Sequence, residues 1–250
     1  MEQQPGHTYS HTADYAFIDT ALKARWTPFC ELAAELDAFV PKTVVDFAEY
    51  RDNELGRLQE LNPTSSRESL LELIDGQIRA NAEPGIQLWL KFSDRIMAEY
   101  VTVAFLAHAL AESAINAILA IGLASAGAED LFALLERADI KEKWLSGPKA
   151  FHPDYSLPKS GALYQTLQHL TRQRNAFVHY KVELEMGGEK KLEGSRLDRA
   201  PLHTQVAWIR RFFSLPYDLA SHARSQLNRV APFMLYDSRP IQRFAPHSGA

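Results

Sequence analysis

The sequence contains a single cysteine, Cys30, so the chain can form neither an intramolecular disulfide nor a cluster of thiolate metal ligands. Its first residues lack the basic and apolar segments of a secretory signal. The glycine motifs of P-loop nucleotide hydrolases, dinucleotide-binding enzymes and serine hydrolases are also missing from the sequence. We therefore expect a protein of the reducing cytoplasm that belongs to none of these three enzyme classes.

The composition is ordinary for a globular chain, but the charge is distributed unevenly. Of the 250 residues, 46% are hydrophobic and 23% are charged, which excludes a disordered chain, a fibre and a disulfide-built miniprotein. Residues 1–150 contain 13 Lys and Arg against 23 Asp and Glu, whereas residues 151–250 contain 14 against 8. The C-terminal part is thus expected to bind a polyanion, with an unevenly charged solvated surface as the alternative.

Helix-forming residues dominate and strand-like alternation is scarce, which predicts an all-α protein. The predicted helices cover residues 12–25, 29–39, 43–60, 67–82, 101–124, 129–138, 140–151 and 159–180, and a last one starts near 203 and is kinked or split at Pro216. Residues 181–193 predict a small β-hairpin or an irregular charged loop. The predicted domains are an N-terminal helical region of unknown role (1–90), a helical bundle (91–230) and an extended tail (231–250).

The most apolar stretch of the sequence, residues 101–124, is long enough to span a bilayer. Its one formal charge is Glu112. A charge near the centre of a membrane helix costs roughly 2.5–3.5 kcal/mol, and the many alanines of this stretch offset little of it. We therefore predict a buried central helix and no membrane partner.

The helix predicted over residues 159–180 carries the most informative polar residues. Its apolar stripe consists of Leu163, Leu167, Leu170 and Phe177. Arg174 occupies the position at which this stripe lacks an apolar member. Because a buried arginine is costly without a partner, and because Glu112 is equally anomalous in its apolar stretch, the pattern predicts that the two form a pair.

The end of the same helix suggests phosphodiester chemistry. Asn175 lies four residues before His179, so the two share a helix face, and the long side chain of Arg174 can reach the same groove. Histidine transfers protons near neutral pH, and a guanidinium binds phosphate through two parallel hydrogen bonds. Arg174, Asn175 and His179 are therefore the predicted catalytic residues.

Residues 174–179, Arg-Asn-Ala-Phe-Val-His, resemble the Arg-polar-x-x-x-His signature of HEPN domains, helical bundles common in ribonucleases of toxin–antitoxin, abortive-infection and other defence systems. The surroundings agree with this resemblance: an apolar helix with Glu112 and Asn116, and a segment with Lys143-Trp144 and Gly147-Pro148-Lys149, precede the motif. The resemblance covers residues 94–180 and extends toward 224.

The resemblance implies a four- to five-helix bundle that forms a homodimer with two motifs facing each other across a cleft. It also implies a metal-independent endoribonuclease without a cofactor, whose products carry a 2′,3′-cyclic phosphate. His179 would transfer a proton at the ribose 2′-OH or at the leaving oxygen. Arg174 would stabilise the charge that develops at phosphorus, Asn175 would orient His179 or the phosphate, and Glu112 would hold Arg174.

Further residues and partners follow from the same resemblance. Asn116 and Tyr180 would support the site, and Arg172 and Lys181 would bind substrate. The expected partners are RNA, a second copy of the chain, and an antitoxin or other defence-system protein. In toxins paired with nucleotidyltransferase antitoxins, a tyrosine stands two residues after the histidine. Here Tyr180 follows His179 directly and Lys181 takes that place, which counts against this pairing.

Several alternatives stay open at the level of sequence. The chain could be a non-catalytic HEPN-like module that binds nucleotide, RNA or a protein, or a helical scaffold with a coincidental motif. His179 could cap a helix C-terminus, and Arg174–Glu112 could be a purely structural pair. His108 is predicted to be a core histidine. One further segment favours either an RNA-binding face or a core stripe with a basic edge: Trp208, Arg210, Arg211, Phe212 and Phe213.

Overall fold

Helices account for the regular structure of the computed structural model, which describes residues 12–178 and 200–227. No strand occurs within these two ranges. The prediction of an all-α helical bundle is confirmed at this level. The predicted hairpin over 181–193, the tail over 231–250, and His179, Tyr180 and Lys181 lie outside the described residues.

The α-helices in chain order are α1 (Thr12–Ala24), α2 (Trp26–Asp37), α3 (Ala48–Leu61), α4 (Arg67–Asn81), α5 (Pro84–Ser125), α6 (Phe132–Leu135), α7 (Ile140–Ser146), α8 (Ala162–Val178) and α9 (Leu202–Leu227). Short 3₁₀ segments cover Val44–Phe47, Glu129–Leu131 and Gly147–Ala150.

Several helices begin where the local chemistry satisfies free backbone N–H groups. The hydroxyl of Ser66 accepts a hydrogen bond from the Ser69 N–H at 3.1 Å and caps α4. The carboxylate of Asp139 accepts from the Lys141 N–H at 2.9 Å and caps α7. Pro84 is the first residue of α5, a position that needs no N–H donor.

The chain divides into two compact units, and the predicted three-part domain division stays a prediction. One unit is Phe29–Ala98, and the other combines Met1–Pro28 with Glu99–Ala250. In the first unit, α3 packs against α4 around a core of Leu55, Leu70, Ile74 and Ile78. An open cleft of about 390 Å³ in this unit is lined by Val44, Phe47, Ala48, Arg51, Asp75, Ile78 and Arg79, and includes none of the predicted site residues.

The second unit is built around the C-terminal part of α5. Its fully buried side chains come from α5, α7, α8 and α9, and include Tyr100, Val103, Leu110, Ile115, Trp144, Leu167, Leu170, Ile209 and Phe212. Asp19 of α1 and Trp26, the first residue of α2, join this core, because the ring of Trp26 meets that of Phe213 edge-on at 5.0 Å and the Tyr217 hydroxyl donates to Asp19 at 2.7 Å.

Two long helices differ from their predicted extent. α5 has 42 residues and starts at Pro84, well before the predicted residue 101. It is the one helix among the described residues whose length and composition would allow it to cross a membrane, but more than half of its most apolar window is buried within the protein. α9 continues through Pro216 as one helix, so the predicted split does not occur.

Candidate functional site

Arg174 and Asn175 lie near the C-terminal end of α8. The side chain of Arg174 is partly exposed, and its Nη1 donates a hydrogen bond to Oδ1 of Asn175 at 3.1 Å. Its guanidinium carbon lies 6.0 Å from the ring centroid of Phe105 on α5. The two described members of the predicted catalytic set are thus in contact, and their relation to His179 stays a prediction.

Glu112 has a different partner from the predicted Arg174. Its Oε1 accepts a hydrogen bond from Nζ of Lys143 at 2.9 Å, and Oδ1 of Asn116 accepts from the same ammonium at 3.0 Å. Lys143, on α7, is only 1% exposed, whereas the side chain of Glu112 is 38% exposed. A buried ammonium needs an opposite charge and hydrogen-bond acceptors far more than a partly exposed arginine does. The carboxylate therefore compensates Lys143.

His108, Glu112 and Asn116 form a row along α5, which we call the α5 polar row. Their spacing of four residues places all three on one helix face. His108 is buried, and its Nδ1 lies 3.9 Å from Oε2 of Glu112. Sequence analysis identified the members of this row separately, but not Lys143 as the cation that joins two of them.

Burial lowers the pKa of His108 below its ordinary value, because the charged imidazolium would lose its hydration. The negative charges of Glu112 and Asp139 raise this pKa, while the positive charges of Arg174 and Lys143 lower it. Burial thus favours the neutral form of His108.

A second polar cluster connects α5, α8 and α9 around His169. The Tyr100 hydroxyl lies 3.1 Å from its Nε2, and Nη2 of Arg172 lies 2.8 Å from its Nδ1. A guanidinium can only donate, so Nδ1 accepts and the proton of the neutral ring is on Nε2, which donates to Tyr100. The buried imidazole also stacks on the ring of Trp208, with 3.9 Å between centroids.

Arg211 covers Trp208, with the guanidinium carbon 4.8 Å from the ring centroid. Arg172 and Arg211 are both exposed, whereas His169 is buried and Trp208 is partly buried. The sequence left open whether residues 208–213 form an RNA-binding face or a core stripe with a basic edge. In the structure Phe212 and Phe213 are buried in the core, and Arg211 is exposed at its edge. The sequence offered one signal for the cluster, the three-residue spacing of His169 and Arg172.

Among the described residues, no three His, Cys, Asp or Glu side chains are grouped closely enough to hold a metal ion. No protein-family model, no curated protein and no solved structure matches the chain. The functional argument therefore depends on the residues of this chain.

Proposed function

We propose that the protein is a metal-independent endoribonuclease of the HEPN type, which acts as a homodimer in a defence or toxin system. The observation that carries the proposal is which partners the structure gives to two charged side chains, Glu112 and Arg174. The carboxylate of Glu112, the predicted partner of Arg174, is bound to Lys143, and among the described residues Arg174 donates a hydrogen bond to the neutral amide of Asn175. Within the part of the chain that the structure describes, no carboxylate pairs with Arg174, so its positive charge is available to an anionic ligand such as a phosphodiester.

In the proposed reaction, the ribose 2′ oxygen attacks the adjacent phosphorus. The new P–O2′ bond forms as the P–O5′ bond breaks, and the products are a 2′,3′-cyclic phosphate and a 5′-hydroxyl. The 2′-OH loses a proton and the leaving 5′ oxygen gains one; His179 carries one of these two transfers and solvent water carries the other. Arg174 stabilises the charge on the phosphoryl oxygens, and Asn175 holds the guanidinium in place.

The Lys143–Glu112–Asn116 contacts have a supporting role in this proposal. They join α7 to α5 through a buried ammonium, and the same row contains His108, which responds to the charge of Arg174. We propose that this network fixes the wall of the site beside Arg174 and is not itself in contact with the reacting atoms.

The test is cleavage of labelled RNA in EDTA by the full chain and by three variants. His179→Ala and Arg174→Ala are each expected to slow cleavage by about 100-fold or more, the usual effect of removing a proton-transfer or charge-stabilising group. Arg174→Lys keeps the charge but loses the two-pronged geometry, so we expect it to restore little activity.

Arg67→Ala is the matched control, because Arg67 is an exposed arginine of α4. Its activity should equal that of the wild type, and all variants should give the same circular dichroism spectrum. Equal cleavage by wild type and His179→Ala would contradict the proposal. RNA binding without cleavage would favour the non-catalytic HEPN-like module.

A further inference from the structure

We infer that α8 and α9 form a docking surface for an RNA strand, on which Arg172 and Arg211 bind backbone phosphates. The choice of RNA among polyanions rests on the proposed function. The surface itself is argued from the charges and contacts of the two helices, independently of His179.

Helices α8 and α9, which pack side by side, together carry an excess of positive charge. Residues 162–178 include two arginines and no Asp or Glu. Residues 202–227 include three arginines and one acid, Asp218. Burial raises the pKa of Asp218. Five arginines against one partly buried carboxylate give the pair of helices a positive field, which attracts a polyanion.

Neighbouring side chains hold the guanidinium groups of Arg172 and Arg211 in place. Arg172 donates to Nδ1 of His169, His169 stacks on Trp208, and Arg211 lies over the same indole. One continuous stack of side chains thus fixes both guanidinium groups. The hydrogen bond to His169 uses one of the five N–H donors of Arg172, so the others are available to a phosphate.

The partners in this stack are uncharged, unlike those of four other arginines among the described residues. Arg25, Arg51, Arg57 and Arg95 each form an ion pair with a carboxylate. Arg172 and Arg211 are positioned by an imidazole and an indole, so their positive charges are not cancelled. An arginine that neutral groups hold in one conformation loses little conformational entropy when it binds phosphate. This is the property of a preorganised anion-binding site.

The docking surface shares helix α8 with the proposed active site but uses a different face, because residues two apart lie about 200° apart around a helix. Arg172 lies on α8 two residues before Arg174, which is itself partly exposed and held by the neutral Asn175. A strand bound at Arg172 and Arg211 would thus be anchored on the helix that carries the proposed catalytic motif. The docking surface deepens the proposed function by naming the residues that hold the substrate outside the reacting phosphodiester.

The test measures binding separately from cleavage. The probe is a fluorescein-labelled 20-nucleotide RNA with 2′-O-methyl groups throughout, which cannot be cut by attack of a 2′-OH. Fluorescence anisotropy gives its affinity for the full chain at several salt concentrations. The double variant Arg172→Gln/Arg211→Gln is compared with Arg67→Gln/Arg79→Gln, which removes the same charge from two exposed positions on α4.

A phosphate contact on a single strand contributes about 0.7 to the slope of log affinity against log salt. The Arg172→Gln/Arg211→Gln variant should therefore lose about 1.4 from that slope and bind about tenfold or more weakly at 100 mM salt. The α4 control should bind like the wild type. The single variant Arg211→Gln, which removes only an exposed contact with Trp208, should lose about half of the slope change.

The inference is overturned if the α8–α9 variant binds like the control, or if the wild type does not bind the probe. The two proposals fail separately. Salt-dependent binding that needs Arg172 and Arg211, without cleavage of ordinary RNA, would support the docking surface and contradict the endoribonuclease. Cleavage of ordinary RNA by the wild type, with an unchanged salt slope in the Arg172→Gln/Arg211→Gln variant, would support the endoribonuclease and contradict the docking surface.

Discussion

Lys143 and Glu112 form an ion pair in which the ammonium is fully buried and the carboxylate is partly open to solvent. This asymmetry means that the two partners need each other unequally. The cation depends on the pair for its compensation, whereas the carboxylate can be hydrated without it. Removing either side therefore tests the structure of the α5 polar row independently of any activity.

We predict that Glu112→Ala destabilises the protein more than Lys143→Met does. The first change leaves a buried ammonium with only Asn116 as a partner, which costs on the order of 3–5 kcal/mol. The second leaves a partly hydrated carboxylate and fills the volume with an apolar chain, for an expected cost of about 1–2 kcal/mol. Urea unfolding followed by circular dichroism measures both. Equal losses, or the opposite order, would show that Lys143 is not buried as described.

The stability of the protein should fall as the pH is lowered below about 6.5, in part because of His108. The pKa of this histidine is lowered in the folded protein, mainly by burial, so the unfolded chain binds its proton first. As the pH falls from the ordinary pKa to the folded-state pKa, His108 lowers the free energy of unfolding. Below the folded-state pKa the residue is protonated in both the folded and the unfolded chain, so its contribution no longer changes. A His108→Gln variant should show a shallower decrease between pH 7.5 and 5.5. An identical profile for both proteins would contradict the burial of this residue.

The charges around His108 predict how its pKa responds to substitution. Arg174 lowers this pKa and Glu112 raises it, so Arg174→Ala should raise it and Glu112→Gln should lower it relative to the wild type. Titration of the imidazole resonances by NMR measures these changes. Arg67→Ala should leave the pKa unchanged. If Arg174→Ala has no more effect than this control, Arg174 is not near the α5 polar row.

Gly122 packs against the ring of Phe151, and a Cβ at this position would overlap the ring. We predict that Gly122→Ala lowers the free energy of unfolding by about 1–3 kcal/mol, although alanine is the better helix former. Gly76 in α4 has open space at the same position, so Gly76→Ala should instead stabilise the protein by about 0.5–1 kcal/mol. Thermal unfolding compares the two, and Phe151→Ala should rescue part of the Gly122→Ala loss.

Local sequence signals predicted where many helices lie. The helices predicted over 67–82 and 140–151 begin at the same residues as α4 and α7, each directly after a side chain that caps the helix, Ser66 or Asp139. The predicted helices leave residues 83–100 uncovered, because Pro84 and Gly85 favour a break in regular structure, yet proline is also favoured in the first turn of a helix. The same residue types thus predicted a break where the longest helix begins.

The candidate site depends on long-range contacts that no local pattern could reveal. A lysine is almost never fully buried, so nothing in the neighbourhood of Lys143 predicted its place beside Glu112. The sequence predicts that Glu112 pairs with a cation, but the pattern favours Arg174, because Arg174 is the cation that interrupts an apolar stripe. The contacts that connect Arg172 to Arg211 are also long-range, because they run through His169 of α8 and Trp208 of α9.

The most direct test of the proposed endoribonuclease is the dependence of cleavage on a single 2′-OH. The substrate is a 2′-O-methyl RNA pool with randomised flanks and one unmodified ribose at a fixed position, incubated with the full chain in EDTA. The account predicts one cut, immediately 3′ of the unmodified ribose, with a 2′,3′-cyclic phosphate end and no cut by His179→Ala. Cleavage at methylated positions, or no cleavage beside the free 2′-OH, would contradict it.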